Sequence, residues 1–244
     1  MFSLSYSQPQ SNAYHCLNEP EVSEVFFGGG AGLGKSIFGC SWIITQNLKY
    51  PGTIGYIARE SKTLLMDSTF VVYMQLLKKG KYVEGQHYTI RGGDTIVWAN
   101  GSETWFRHLR LRSTDPDFKW LGSLEVSYAF VDEADEVEPK GIDVLASRIR
   151  KNLHEHGLTP KLLLTGNPGD VWTKSRYIMD DKGRMLTLPS HRRRVLGTVL
   201  DNPDKVFREI YIKQLERMPD PYDRQRLLYG DWMAEKSTGT EWWM

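Results

Sequence analysis

The chain has 244 residues, which suits one large domain or one domain with a small appendage. Apolar residues make up 40% and charged residues 25%, so a sizeable core can be buried, and 31 basic against 30 acidic residues leave a formal charge of +1 that announces no nucleic-acid partner. Two cysteines, Cys16 and Cys40, exclude a disulfide framework, no Cys/His cluster reads as a zinc site, and no segment reaches the roughly 18 apolar residues of a membrane span.

The first two dozen residues are polar and aromatic and end in "EPEVSEVFF". "MFSLSYSQPQSNAYHC" has no basic flank followed by an apolar run, so a soluble intracellular protein is expected. A short strand starts near Glu24 and runs into a glycine-rich turn. "KSIFGCSWIITQNLKY" then has helical spacing and stops at Pro51-Gly52. "TIGYIA" reads as a buried strand, and "SKTLLMDSTFVVYMQLLKKG" as a helix capped by Ser61 and ended at Gly80. Between Tyr88 and Phe106 lie short β-like runs split by Gly92-Gly93-Asp94 and Asn100-Gly101, a hairpin or meander signature. "YAFVD" and "KLLLTG" are further buried runs ending in polar residues, and "GIDVLASRIRKNLH" between them has helical period. The predicted class is α/β, a mostly parallel sheet flanked by helices with added antiparallel strands. From Asp201 onward two helices broken at Pro219 and Pro221 predict a small helical subdomain. The expected division is a core over 1–200, a helical linker over 201–233 and a flexible tail over 234–244.

The glycine turn fits G-x-x-x-x-G-K-[ST] in register, from Gly29 through Gly30, Ala31, Gly32, Leu33 and Gly34 to Lys35 and Ser36. Glycines let consecutive N–H groups curl around phosphate oxygens, Lys35 reaches the β/γ-phosphates, and the Ser36 hydroxyl ligates Mg²⁺. A dinucleotide fingerprint fails in every register, because its third glycine falls on Leu33, Lys35 or Ile37. A plain glycine-rich hairpin is the other reading. Hydrolysis needs an acid pair, and "VSYAFVDEADEV" supplies it: Asp132 ends a buried strand taken to lie beside the phosphate-loop strand, and Glu133 follows. Asp132 is the expected metal-shell residue and Glu133 the catalytic base, with Asp135 and Glu136 as solvated acids at a helix start. "KLLLTGNPG" repeats the strand-then-polar pattern. Thr165, Gly166 and Asn167 either sense the γ-phosphate and lytic water or form a turn for backbone reasons alone.

These motifs, with "YIARES", "DNPD", "YIKQLERM" and "RLLYGDW", resemble the ATPase domain of the large terminase subunit of tailed bacteriophages. The resemblance spans almost the whole chain. It implies a P-loop NTPase of the additional-strand catalytic-Glu type that uses ATP and Mg²⁺ to drive double-stranded DNA into a procapsid. It also implies a ring on the portal protein, a small terminase subunit as partner, and the cytoplasm of an infected bacterial host. By the same resemblance Thr165 to Asn167 form the coupling motif. An N-terminal glutamine reads adenine: Gln10 takes that place, with Tyr14 as a stacking partner and Gln8 as the alternative. Some members carry an arginine in the phosphate loop where this chain has Ala31 and Leu33. The charge-stabilising arginine is therefore sought in Arg59, or in Arg148 and Arg150 on the helix after Glu133, acting on a neighbouring subunit; each is otherwise a surface arginine. The acids of the tail form no two-metal set, so no nuclease activity is expected from these residues.

"SHRRRV" and "RHLRLR" are basic runs that either track phosphates or are solvated faces. His154 and His156 read as exposed polar residues. The rival functions are a helicase-like motor, which should carry a second motor domain, and a kinase or switch, which would dispense with Glu133.

Overall fold

The computed structural model describes residues 6–236, so the residues of the expected tail beyond Lys236 lie outside it. The first described element is a helix in the polar and aromatic N-terminal stretch, α1 (Gln8–Asn18). Its signal is local: Ser7 caps the backbone of Gln10, the Gln10 side chain returns to the Ser7 N–H, and a proline sits in the first turn. Strand β1 (Glu24–Gly29) follows, then α2 (Lys35–Lys49) and β2 (Ile54–Arg59). The helix expected over 61–80 is interrupted: α3 (Lys62–Leu64) passes through a π-turn at Leu65–Phe70 into α4 (Val71–Lys79). The three β-like runs are β3 (Tyr88–Arg91), β4 (Thr95–Trp98) and β5 (Glu103–His108), an antiparallel meander. Strands β6 (Tyr128–Val131), β7 (Leu162–Gly166) and β8 (Arg192–Gly197) complete one eight-stranded sheet of order β3-β4-β5-β2-β6-β7-β1-β8.

Six of these strands run parallel, from β5 to β8, so their C-terminal ends share one edge. That edge is where ligands bind in open parallel sheets. The four inner strands of this set, β2, β6, β7 and β1, are buried along almost their whole length because both faces are covered. Val25, Phe27, Ile57, Phe130 and Leu163 face one core with α1, α2 and α4, whereas Phe26, Tyr56, Ala129, Val131, Leu162 and Leu164 face a second core. The side-chain period of two assigns each strand residue to its layer.

Two expectations are corrected here. The helix predicted over 141–154 ends early: α5 (Pro139–Ala146) stops, a loop follows, and only one turn, α6 (Leu153–His156), is helical again. Arg148 and Arg150 therefore sit in a loop whose Ile149 bridges to Val126. The other concerns "SHRRRV", whose arginines lie half-buried in β8 rather than on a solvated face, with Ser190 and His191 exposed before the strand. Arg192 pairs with buried Glu24 at 2.5 Å, Arg193 with Glu19 at 2.7 Å, and Arg194 donates to the carbonyls of Tyr177 and Leu186. In "RHLRLR", Arg107 pairs with Asp94 and exposed Arg110 with Glu60, while Arg112 lies over the Trp120 ring.

Helices α7 (Lys205–Glu216) and α8 (Pro221–Leu228), capped by Asp204 and Asp220, close the described chain. They pack on a small cluster of their own, Val199, Leu215 and Leu228.

Candidate active site

The loop between β1 and α2 is held from two sides. Gly29 has φ 136°, and a Cβ there would lie 1.9 Å from the Gly197 carbonyl oxygen; one on Gly30 would lie 2.4 Å from that of Leu227. The Gly30 N–H donates to Gly197 and the Ala31 N–H to Leu227, so β8 and α8 both clasp the loop. These glycines permit that close approach as well as leaving N–H groups for a phosphate. No acidic side chain occupies the first turn of α2, and its N-terminus is open to an anion. The Leu33 side chain is fully buried in the core, so this position of the loop does not present a side chain to a ligand. Lys35 is buried and donates to the carbonyls of Gly29 and Gly30 at 2.8 and 2.9 Å, and to Asn167 Oδ1 at 2.9 Å. Burial lowers the pKa of its ammonium, against the opposing charges of Glu133, Asp132 and Asp135.

Asp132 and Glu133 follow β6, but β6 is not the neighbour of β1: β7 lies between them. This corrects the expected adjacency and gives Thr165–Asn167 its place, between the phosphate loop and the acid pair. Asp132 is buried, and three hydroxyls donate to it: Ser36 at 3.1 Å and Thr165 at 2.7 Å on Oδ1, Thr69 at 2.7 Å on Oδ2. Glu133 adopts the left-handed conformation, φ 50° and ψ 54°, which a non-glycine residue holds only against strain. Its N–H donates to Thr165 Oγ1 at 3.2 Å, and its Oε2 accepts from Asn167 Nδ2 at 2.6 Å. The Asn167 amide thus joins Lys35 to Glu133, oxygen toward the cation and nitrogen toward the carboxylate. Burial, then the charge of Asp132, pushes the Glu133 pKa up to about 7, with Lys35 opposing. A carboxyl so tuned suits proton transfer near neutrality.

Of the two acids expected to be solvated, Glu136 is exposed and Asp135 is not. They lie on a 3₁₀ turn (Ala134–Glu136); Asp135 is half-buried under Gly166, with one carboxyl oxygen lacking a partner, and burial raises its pKa. Glu136 takes Arg59 in a bidentate pair, both contacts at 3.0 Å, and Arg59 also donates to Ser68. Arg59 is therefore at the site but engaged. Arg148 donates to the Gly122 carbonyl and Arg150 pairs with Glu125, both in the loop region described above.

A cavity of about 480 Å³ follows the loop from Ala31 to Ile37 and is closed by Val72, Glu133, Asn167, Asn202, Asp204 and Phe207. Asn202, whose Nδ2 donates to the Gly32 carbonyl at 2.6 Å, and Phe207 were not assigned roles from sequence. The "DNP" motif was the available signal for Asn202; nothing local marks Phe207. Gln10 lies against the loop: its Oε1 accepts from the Ser7 N–H and its Nε2 donates to the Gly34 carbonyl at 3.0 Å. Tyr14 packs near Tyr6, with ring centroids 6.0 Å apart, and Gln8 bonds Asn12 on the surface. Neither Gln10 nor Tyr14 lines the cavity.

Among the described residues no group of three or more His, Cys, Asp or Glu could hold a metal unaided. The oxygens of Ser36 and Asp132 nonetheless fit Mg²⁺, a hard cation that keeps water and shares its shell with substrate phosphates.

A family described as phage terminase large subunit matches residues 22–228. No curated protein sequence matches the chain. Among solved structures, the large terminase of a thermophilic bacteriophage matches with TM-score 0.66 and 17% identity, covering 94% of this chain and 54% of that one. It has also been solved with ADP and with ATP-gamma-S. The chain thus spans about half the length of that relative. The ATPase domain of the Thermus phage P74-26 large terminase matches with TM-score 0.63 and 14% identity, covering 95% of each chain. The N-terminal domain of the DNA packaging ATPase from bacteriophage phi29 gives TM-score 0.53 and 15% identity, over 82% of this chain and 98% of that one. At these identities the likeness shows a shared fold: the phosphate-loop ATPase fold with an extra strand between the loop strand and the acid strand.

Proposed function

This chain belongs to the phage terminase large-subunit family, and on that premise we propose that it is the ATP-hydrolysing motor domain that drives double-stranded DNA into a procapsid. The observation that carries the reading is the continuous chain from Lys35 through Asn167 to Glu133, with Asp132 and Ser36 bonded beside it. The strained backbone of Glu133 and its bond to Asn167 hold a carboxyl beside the phosphate loop, where an attacking water would stand.

In this reading the loop N–H groups take the phosphates, and Lys35 exchanges the Gly29 and Gly30 carbonyls for β/γ oxygens. Ser36 and Asp132 would hold Mg²⁺, which would neutralise phosphate charge. Glu133 accepts a proton from water as its oxygen bonds the γ-phosphorus and the bond to the β-phosphate oxygen breaks, giving ADP and phosphate. Asn167 contacts both Lys35 and Glu133, so a change in the charge that Lys35 faces alters the hold on the base, the property a coupling motif requires. Arg59 is the candidate arginine placed among these residues, and it must leave Glu136 to reach a phosphate. Arg148 and Arg150 are the candidates for action on a neighbouring subunit in a ring. Gln10 acts on the base side through its bond to Gly34. We assign residues 1–200 to the core and 201–233 to the helical subdomain. The portal, the small terminase subunit and the host cytoplasm complete the proposal.

Glu133→Gln tests it. The variant is expected to bind ATP with Mg²⁺ as the parent does and to hydrolyse it at least about 100-fold more slowly, the usual worth of a positioned base. Hydrolysis at the parental rate would remove Glu133 from the mechanism. ATPase activity that fails to rise on adding procapsids would count against the motor.

A further inference from the structure

Helix α3–α4 breaks its regularity at one place, the π-turn at Leu65–Phe70. No proline or glycine occurs between Lys62 and Lys79, so the sequence does not force the irregularity. Turns of this kind recur at functional sites. Here two consecutive hydroxyls of the turn are engaged by groups of the active site. Ser68 Oγ accepts from Arg59 Nη1 at 2.9 Å, and Thr69 Oγ1 donates to Asp132 Oδ2 at 2.7 Å. Consecutive side chains on an α-helix diverge by about 100°, and the wider turn brings the pair closer to one direction.

We infer that Thr69 is a positioning residue for Asp132, presented by a π-turn that orients the metal-shell carboxylate. A threonine in a helix ordinarily returns its hydroxyl to the carbonyl one turn back. Ser68 does this, donating to Leu64, but Thr69 instead reaches a residue 63 positions away while its side chain is fully buried. The three donors to Asp132 are not equivalent. Ser36 and Thr165 share Oδ1, and both have other duties, Ser36 toward phosphate and metal and Thr165 toward the Glu133 N–H. Among the described residues Thr69 alone donates to Oδ2, so it fixes the rotation of the carboxylate when Ser36 turns to its ligand. The inference rests on the reading of Asp132 given under Proposed function.

The experiment compares Thr69→Val, nearly the same shape without the hydroxyl, and Thr69→Ser, which keeps it. Calorimetric titration of ADP in EDTA and in increasing Mg²⁺ gives the metal-free affinity and the Mg²⁺ midpoint separately. Thr69→Val is expected to bind ADP in EDTA as the parent does and to raise the Mg²⁺ midpoint about tenfold, the scale of one hydrogen bond to a charged group. Thr69→Ser should restore the midpoint. A parental midpoint in Thr69→Val, or a midpoint equally raised in Thr69→Ser, overturns the inference, as does a lower melting temperature with no change in midpoint. Should Thr69→Val fail to fold, Thr69→Ala against Thr69→Ser decides by the same midpoints. Parental protein whose nucleotide binding ignores Mg²⁺ would instead overturn the reading of Asp132.

Discussion

Glu133 concentrates the chemistry and the strain of the site at one residue. Its carboxyl holds a proton up to about pH 7 in the folded chain, against an ordinary value of 4.5. Folding therefore binds that proton more tightly: the stabilising linkage is complete at low pH and is lost as pH rises through 7. Glu133→Gln should leave the melting temperature unchanged at about pH 4 and raise it at about pH 8, by stability on the order of 3 kcal/mol. The same ionisation should make the hydrolysis rate climb through neutrality, because only the deprotonated form accepts a proton. Melting curves of the two proteins across pH, set beside the rate profile, check both. The opposite slope in the melting data would contradict a buried, charge-averse Glu133.

Among the elements, β8 shows how local reading errs. Three arginines in a row read as a basic surface, yet Arg192 neutralises Glu24 at Oε1, which also accepts from the Tyr177 hydroxyl, while Arg176 pairs with Oε2. Removing one partner strands the others in a dry setting. Glu24→Ala is expected to lower stability by about 3–5 kcal/mol, read by denaturant unfolding, whereas a DNA-tracking β8 would leave stability alone and change the salt dependence of DNA binding. The loop glycines give a second element-scale expectation. Gly30→Ala must displace the Leu227 carbonyl, 2.4 Å from the new carbon, so it should weaken nucleotide binding while α2 itself stays formed, as measured by titration and circular dichroism. The phosphate loop, the acid pair and the Thr165–Asn167 turn were legible because each is a short motif at a strand end with its own chemistry. Thr69, Phe207 and the partners of Arg192–Arg194 were not, because their roles arise from contacts that only folding creates. Helix α1 carries its own signal in Ser7, Pro9 and Gln10, a capping box with a proline in the first turn.

At the scale of the whole molecule, α7 and α8 are more than a linker. The Leu227 carbonyl accepts from the Ala31 N–H and Asn202 Nδ2 donates to the Gly32 carbonyl, so the segment after residue 200 shapes the phosphate loop. A chain ending at residue 200 is expected to lose at least about tenfold in nucleotide affinity, two hydrogen bonds' worth of loop order, even if its sheet still forms. Fluorescent-nucleotide binding by the shortened chain checks this, and parental affinity would restore the linker reading. The α/β class and the order of strand and helix were readable from periodicity. The position of β7 was not, since strand order across a sheet leaves no mark on any one segment.

That position has a consequence for how the gene can vary. Every bond between the phosphate loop and the acid pair through the 165–167 segment depends on Thr165 and Asn167 standing where the register of β7 puts them, with Thr165 opposite Phe27. A single inserted or deleted residue in β7 would turn each side chain to the opposite face of the sheet, uncoupling both halves of the site without touching either. Length changes should be forbidden there and tolerated in the exposed turn at 181–184, so a library of one-residue insertions scored for packaging would trace the outline of this strand as a silent gap.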